Sequence, residues 1–168
     1  MKTNVLLLIE TQLAKELVDT IDQRIEEIIK KCNTVDDPDS LGYFDSAEHV
    51  TGLGFVVLQS YITAVYGNIG ISKKIALLTG PKHEGGYTIV KIVNDAANYW
   101  KHNNEWRYDK NDKRRELIES TFEDIGFPVG IEYPLSGILT ELSVPNFASF
   151  NAIFEKLQEW SNELQNTA

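Results

Sequence analysis

The sequence predicts an all-α fold, a single domain of six or seven helices. Three observations carry that expectation. Apolar residues recur at intervals of three and four through the long segments, the period of a helix rather than of a strand. Glycine and proline gather at a few breaks between those segments, as at Gly80-Pro81 and at Gly126 with Pro128. With 168 residues, 42% of them hydrophobic, the chain has material for one core and too little length for two ordinary domains.

The elements follow in order. A first helix is expected over 4–32, where Leu6, Ile9, Leu13, Leu17, Ile21, Ile25 and Ile28 trace an apolar face and Glu16, Asp19, Glu26 and Glu27 a polar one. Glu26–Lys30 and Glu27–Lys31 are favourable pairs one helical turn apart. The segment 33–40, around Pro38, reads as a loop. Asp45 or Ser46 then caps a second helix over 46–66, with Glu48 in its first turn. Its body is apolar nearly all round, and Gly52 and Gly54 allow another helix to come close. Residues 51–72 carry no charge, yet Gln59, Ser60, Thr63, Asn68 and four glycines favour a buried core helix over a membrane span.

Ser72 caps a short helix ending near Thr79, and the loop 81–86 is expected to be mobile. A fourth helix spans 87–102, with a strand as the minority alternative for 87–93. A polar loop over 103–111 leads to a fifth helix, 112–125. Pro134–Leu142 forms a short sixth helix in the least regular segment. Asn146 caps a last helix running to about Gln165, which buries Phe147, Phe150, Ile153, Phe154, Leu157 and Trp160.

Charge excludes some functions and suggests others. The net charge is −9 and the isoelectric point near 4.8, which argues against a general binder of nucleic acid. The total hides a pattern: residues 1–50 sum to −6, 51–115 to +5 and 116–168 to −8. A basic middle between acidic ends marks a face that meets a charged partner. Cys32 stands alone, so no disulfide framework exists. The apolar run Val5–Ile9 is too short for a secretion signal, and the chain reads as cytoplasmic. Histidines 49, 83 and 102 fall on separate elements without metal-ligand spacing, so no metal and no cofactor is expected. Phosphate-loop, dinucleotide and serine-hydrolase motifs are missing from the sequence.

One constellation could carry chemistry. Lys91, Asp95, Asn98 and His102, spaced 4, 3 and 4, form a polar stripe on the fourth helix. In a functional reading His102 is an acid or base oriented by Asn98 and assisted by Lys101. In the plain reading Lys91–Asp95 is a surface ion pair and His102 suits a helix C-terminus. The segment from Ala97 to Trp106, ANYWKHNNEW, resembles the late-helix histidine motif of HEPN domains, small all-α domains many of which cut RNA as dimers. That resemblance implies an arginine separated from the histidine by four to six residues. Asp95, Ala96 and Ala97 occupy that window here, so the resemblance implies an RNA-interacting domain without the nuclease's arginine.

In size, acidity and helical character the chain also resembles the immunity proteins of bacterial toxin–immunity systems, including those of contact-dependent growth inhibition. That resemblance implies a non-enzymatic protein that covers the active or substrate-binding site of one cognate toxin, often a basic nuclease. Acidic side chains would stand in for substrate phosphates and steer association. The candidates are Asp36, Asp37 and Asp39 in the first loop, with Glu116, Glu119, Glu123 and Asp124 on the fifth helix. A homodimer through the apolar faces of the first two helices is a further expectation.

Overall fold

The structure is a computed structural model that describes residues 2–106, 112–128 and 130–167, with side chains from 5 to 166 among them. It is 76% helical, in seven helices: α1 (Lys2–Cys32), α2 (Tyr43–Ile69), α3 (Lys73–Leu78), α4 (Ile89–Trp106), α5 (Lys113–Asp124), α6 (Pro134–Ser143) and α7 (Phe150–Thr167). The described residues contain no strand, and the minority strand alternative shrinks to one isolated bridge between Lys82 and Thr88. One hydrophobic cluster draws side chains from all seven helices.

Helix α2 is the axis of the bundle and touches α1, α3, α4, α6 and α7. Its length and apolar composition would suffice to cross a membrane, but Phe55, Leu58, Ile62 and Val65 are buried in the core. The small residues work as expected. A Cβ on Gly52 would lie 1.8 Å from Trp100 Cδ1, and one on Gly54 would lie 2.4 Å from the Phe150 ring. These two sites let α4 and α7 press against the backbone of α2.

Several element ends differ from expectation, some of them because a distant residue intervenes. Helix α2 begins three residues early: Gly42 is its N-cap in a left-handed conformation, and Asp45 and Ser46 lie inside the helix. Glu48 serves another helix, accepting from the backbone N–H groups of Leu135 and Ser136 (both 2.8 Å) at the start of α6. Asn146 does not cap α7, and Phe147 is 70% exposed. Asp22 of α1 takes the capping role, accepting from Phe150 N–H (2.7 Å) and Asn151 N–H (3.0 Å). The loop 81–86 is tied down: His83 Nε2 donates to Glu141 (3.1 Å) while Nδ1 accepts from Gly85 N–H (3.0 Å). Helix α4 runs past 102 to Trp106, which is buried. Residues 103–106 are therefore helix, and 107–111 of the expected loop lie outside the described residues.

The first helix shows the largest correction. Leu6, Ile9, Leu13 and Leu17 are exposed. The seam on the core is Ala14, Val18, Ile25 and Ile28, buried, with the partly buried Leu7 and Ile21. At about 100° per residue, the exposed set lies roughly a quarter turn to one side of that seam. A stripe with four successive spacings of four, from Ile9 to Ile25, drifts around the helix, and its first half lies outside the core.

Candidate functional site

The four residues of the polar stripe share one cleft. Lys91, Asp95, Asn98 and His102 line a cavity of about 440 Å³ between α3, α4 and α5, with Leu77, Trp106, Leu117 and Ile118 as apolar wall and Lys73 and Arg114 as further cations. That volume lies in the range of small-ligand sites.

The floor of the cleft is a buried network, which corrects the surface-pair reading of Lys91–Asp95. Asp95 is 6% exposed. Its Oδ2 accepts from Lys91 Nζ and from Thr121 Oγ1 (3.0 Å), and its Oδ1 accepts from Asn94 Nδ2 (3.1 Å). Lys91 Nζ also donates to Thr121 Oγ1 (2.9 Å). On the α2 side, Gln59 Nε2 donates to Asn94 Oδ1 (3.1 Å) and Asn98 Oδ1 (3.0 Å), while its Oε1 accepts from Lys101 Nζ (2.7 Å). A carboxylate this deep survives because both of its oxygens meet donors, one of them a cation. Among the described residues, no buried side-chain nitrogen or oxygen lacks a partner.

The rim of the cleft is cationic and held in place. Arg114 forms a two-point pair with Asp112 through Nε (3.2 Å) and Nη2 (2.9 Å). Asp112 also caps α5 through Arg114 N–H (2.8 Å) and receives Trp106 Nε1–H (3.2 Å). The guanidinium and the other donors hold the Asp112 carboxyl down at about 2. Lys73 has no hydrogen-bond partner among the described residues. It lies near enough to Lys101 for the two charges to repel, and burial together with that repulsion lowers the Lys101 pKa. His102 Nδ1 donates to Glu105 (3.1 Å), and its ring lies 6.2 Å from that of Trp106. Asn98, by contrast, orients Gln59 and not His102.

The window that would hold a HEPN arginine, Asp95, Ala96 and Ala97, is buried throughout. A guanidinium does reach the cleft, but it comes from Arg114 on α5.

The seven acidic candidates do not form one surface. Helices α2 and α4 run antiparallel, with Gly52 beside Trp100 and Gln59 beside Asn94. The 36–39 loop therefore lies toward the C-terminal end of α4, where Asp39 accepts from Tyr133 OH (2.6 Å). Asp124 lies at the opposite end of α4, accepting from Tyr87 OH (2.6 Å), which raises the Tyr87 pKa. The 18 residues of α4 separate these ends by about 27 Å. Asp37 is occupied by Ser40 N–H (3.1 Å) and Ser40 Oγ (2.5 Å), which lowers its pKa. Glu119, expected to be exposed, is half-buried and pairs with Arg115 Nε (2.7 Å). Asp36, Glu116 and Glu123 are exposed.

Several of these residues were not singled out in the sequence. Gln59 had a signal, as a lone amide within an apolar helix must find a buried partner. Lys73 and Arg114 had only membership of the basic middle segment. Tyr133 had none, because its position depends on how α6 meets α2. Among the described residues, no three His, Cys, Asp or Glu side chains gather as metal ligands. Comparison with known proteins finds no matching family model, no similar curated protein and no similar solved structure.

Proposed function

We propose that this chain is an RNA-interacting domain that works by binding, with the α3–α4–α5 cleft holding a phosphate-bearing segment. The observation that supports this most is the meeting of Lys91, Asn98 and His102 with Lys73 and Arg114 in one cavity. Asp95 pairs with Lys91 and Asp112 with Arg114, so Lys73 is the cation of the cleft without an acidic partner among the described residues. The apolar wall offers a face for a base, and the rim offers donors for phosphate oxygens. The buried 95–97 window speaks for binding rather than cleavage.

The test is fluorescence polarisation with a short single-stranded RNA. Two engaged cations, Lys73 and Arg114, predict a shallow log–log salt slope of about −1.4. Lys73→Glu with Arg114→Glu is expected to weaken binding tenfold or more. Binding that ignores this double variant overturns the reading. RNA cleavage lost in His102→Ala would move the chain to the enzymes.

A second reading, neutralisation of a basic toxin, draws support from the exposed and internally unpaired Asp36, Glu116 and Glu123. It predicts that co-production protects bacteria from a toxin encoded beside this chain's gene. Charge reversal at Asp36, Asp37 and Asp39 should abolish protection, and undiminished protection would refute the acidic-loop version.

A further inference from the structure

A second, larger cleft lies on the other side of the last turns of α4. It measures about 730 Å³ and is walled by the start of α2, the end of α4 and the start of α6. We propose that this cleft is a docking slot for an arginine or lysine side chain of a basic polypeptide. The inference is independent of the RNA reading, which concerns the opposite side of α4.

Aromatic faces and negative charge meet here. Trp100 is pinned against α2, because Gly52 leaves no Cβ between the indole and the helix backbone. Tyr133 is fixed by its hydrogen bond to Asp39 (2.6 Å) and by edge contact with Phe44, their rings 5.7 Å apart. A cation over such rings gains from their negative faces. Asp45 is exposed, and no hydrogen bond within the described residues occupies its carboxylate. Glu48 adds a second negative charge on the wall while its oxygens cap α6. The hydrogen bond to Asp39, then burial, and then the charges of Asp39, Asp45 and Glu132 push the Tyr133 hydroxyl pKa well up. Lys101, the cation among the lining residues, turns its ammonium to Gln59 Oε1 (2.7 Å). The slot is therefore anionic, aromatic and only weakly countered.

A polypeptide is the occupant on two grounds. The cavity is far larger than one cationic side chain needs, leaving space for adjoining backbone, for which the amides of Asn103 and Asn104 are suitable partners. The negative field also extends beyond the slot, since Asp36 and Asp37 continue the loop that ends in Asp39. A run of basic residues meets complementary charge along that whole line. A single small amine would use only its inner end.

The probe is a fluorescein-labelled peptide of alternating arginine and glycine, titrated with the full chain. Binding in the micromolar range is expected, weakening as salt rises. Asp45→Lys, an exposed change that leaves the core untouched, should weaken it tenfold or more, and Ile131→Lys on the exposed wall should do the same. The double variant Lys73→Glu with Arg114→Glu should leave it within twofold. Equal affinity in Asp45→Lys and the unaltered chain overturns the proposal, as does absence of binding at millimolar peptide. Competition by spermidine as strong as by unlabelled peptide would overturn the polypeptide and assign the slot to a free amine. Loss of RNA binding with peptide binding intact would sink only the function proposed above.

Discussion

The two clefts flanking α4 are built from one helix and differ in almost every physical respect. The α3–α4–α5 cleft has a floor of buried, mutually satisfied polar groups around Asp95, and its cations sit at the rim. The α2–α4–α6 cleft is lined by rings, with Glu48 held by the start of α6 and Asp45 exposed. In the first, the central carboxylate, Asp95, is part of the structure; in the second, Asp45 is an addition to the surface. Substitution of Asp95 should therefore destabilise the fold, and substitution of Asp45 merely discharge its cleft.

The sharpest test of that difference is Asp95→Ala against Asp45→Ala. Removing Asp95 takes the counter-charge from the half-buried Lys91 ammonium and leaves the Asn94 amide short of an acceptor, while Thr121 keeps the Leu117 carbonyl. A loss of about 3–5 kcal/mol is expected from breaking such a pair. Asp45→Ala at the exposed site should cost under about 0.5 kcal/mol. Urea denaturation reads both, and comparable losses would erase the distinction.

Gly52→Ala comes next and acts on the aromatic side alone. The added Cβ would meet the Trp100 indole at 1.8 Å, so the ring must move. Overpacking of this kind costs about 1–3 kcal/mol. Basic-peptide binding should fall while RNA binding stays, because Trp100 does not line the cationic cleft. An unchanged denaturation midpoint would show that the ring moves freely and that Gly52 does not position it.

Smaller still is Asp22→Ala, remote from both clefts. It removes the cap of α7 and should cost about 1–2 kcal/mol with neither binding activity altered. A selective change in one activity would reveal coupling between α7 and that cleft.

What the sequence made legible divides along similar lines. The number and type of helices follow from local periodicity and from breaks such as Gly80-Pro81, and the structure has them. The stripe Lys91–Asp95–Asn98–His102 was also legible, because a helix fixes which residues share a face. Whether that face was wet or buried was not legible: burial of Asp95 depends on Thr121 of α5 and on Asn94 held by Gln59. Helix ends failed for the same reason. Local rules proposed Asn146 and Ser46 as caps, but Asp22 caps α7 from 127 or more positions away in sequence. The pairing of Tyr133 with Asp39 spans 94 positions, so no motif could announce the acidic cleft.

The finest separation between the clefts is by acid. Asp112 holds Arg114 and Trp106 at the cationic rim, and its carboxyl is held at about 2 against an ordinary 3.8. A carboxyl with a lowered folded-state pKa stabilises the fold fully above its unfolded value and loses that contribution as pH falls through the folded value. The window therefore lies between about pH 4 and pH 2. Within it the N-terminal turn of α5 should loosen, and amide hydrogen exchange over 113–116 should quicken as Asp112 takes up its proton. The α6 start depends instead on the pairing of Glu48 with Leu135 and Ser136 N–H. In Asp112→Asn the acceptor oxygen for the cap survives but the ionic hold on Arg114 does not. Exchange over 113–116 should then lose its extra acid sensitivity, while the α6 start behaves as before. If exchange over 113–116 kept its full acid sensitivity in Asp112→Asn, the Asp112 carboxylate would not be the group that holds the start of α5 and the cationic rim in place.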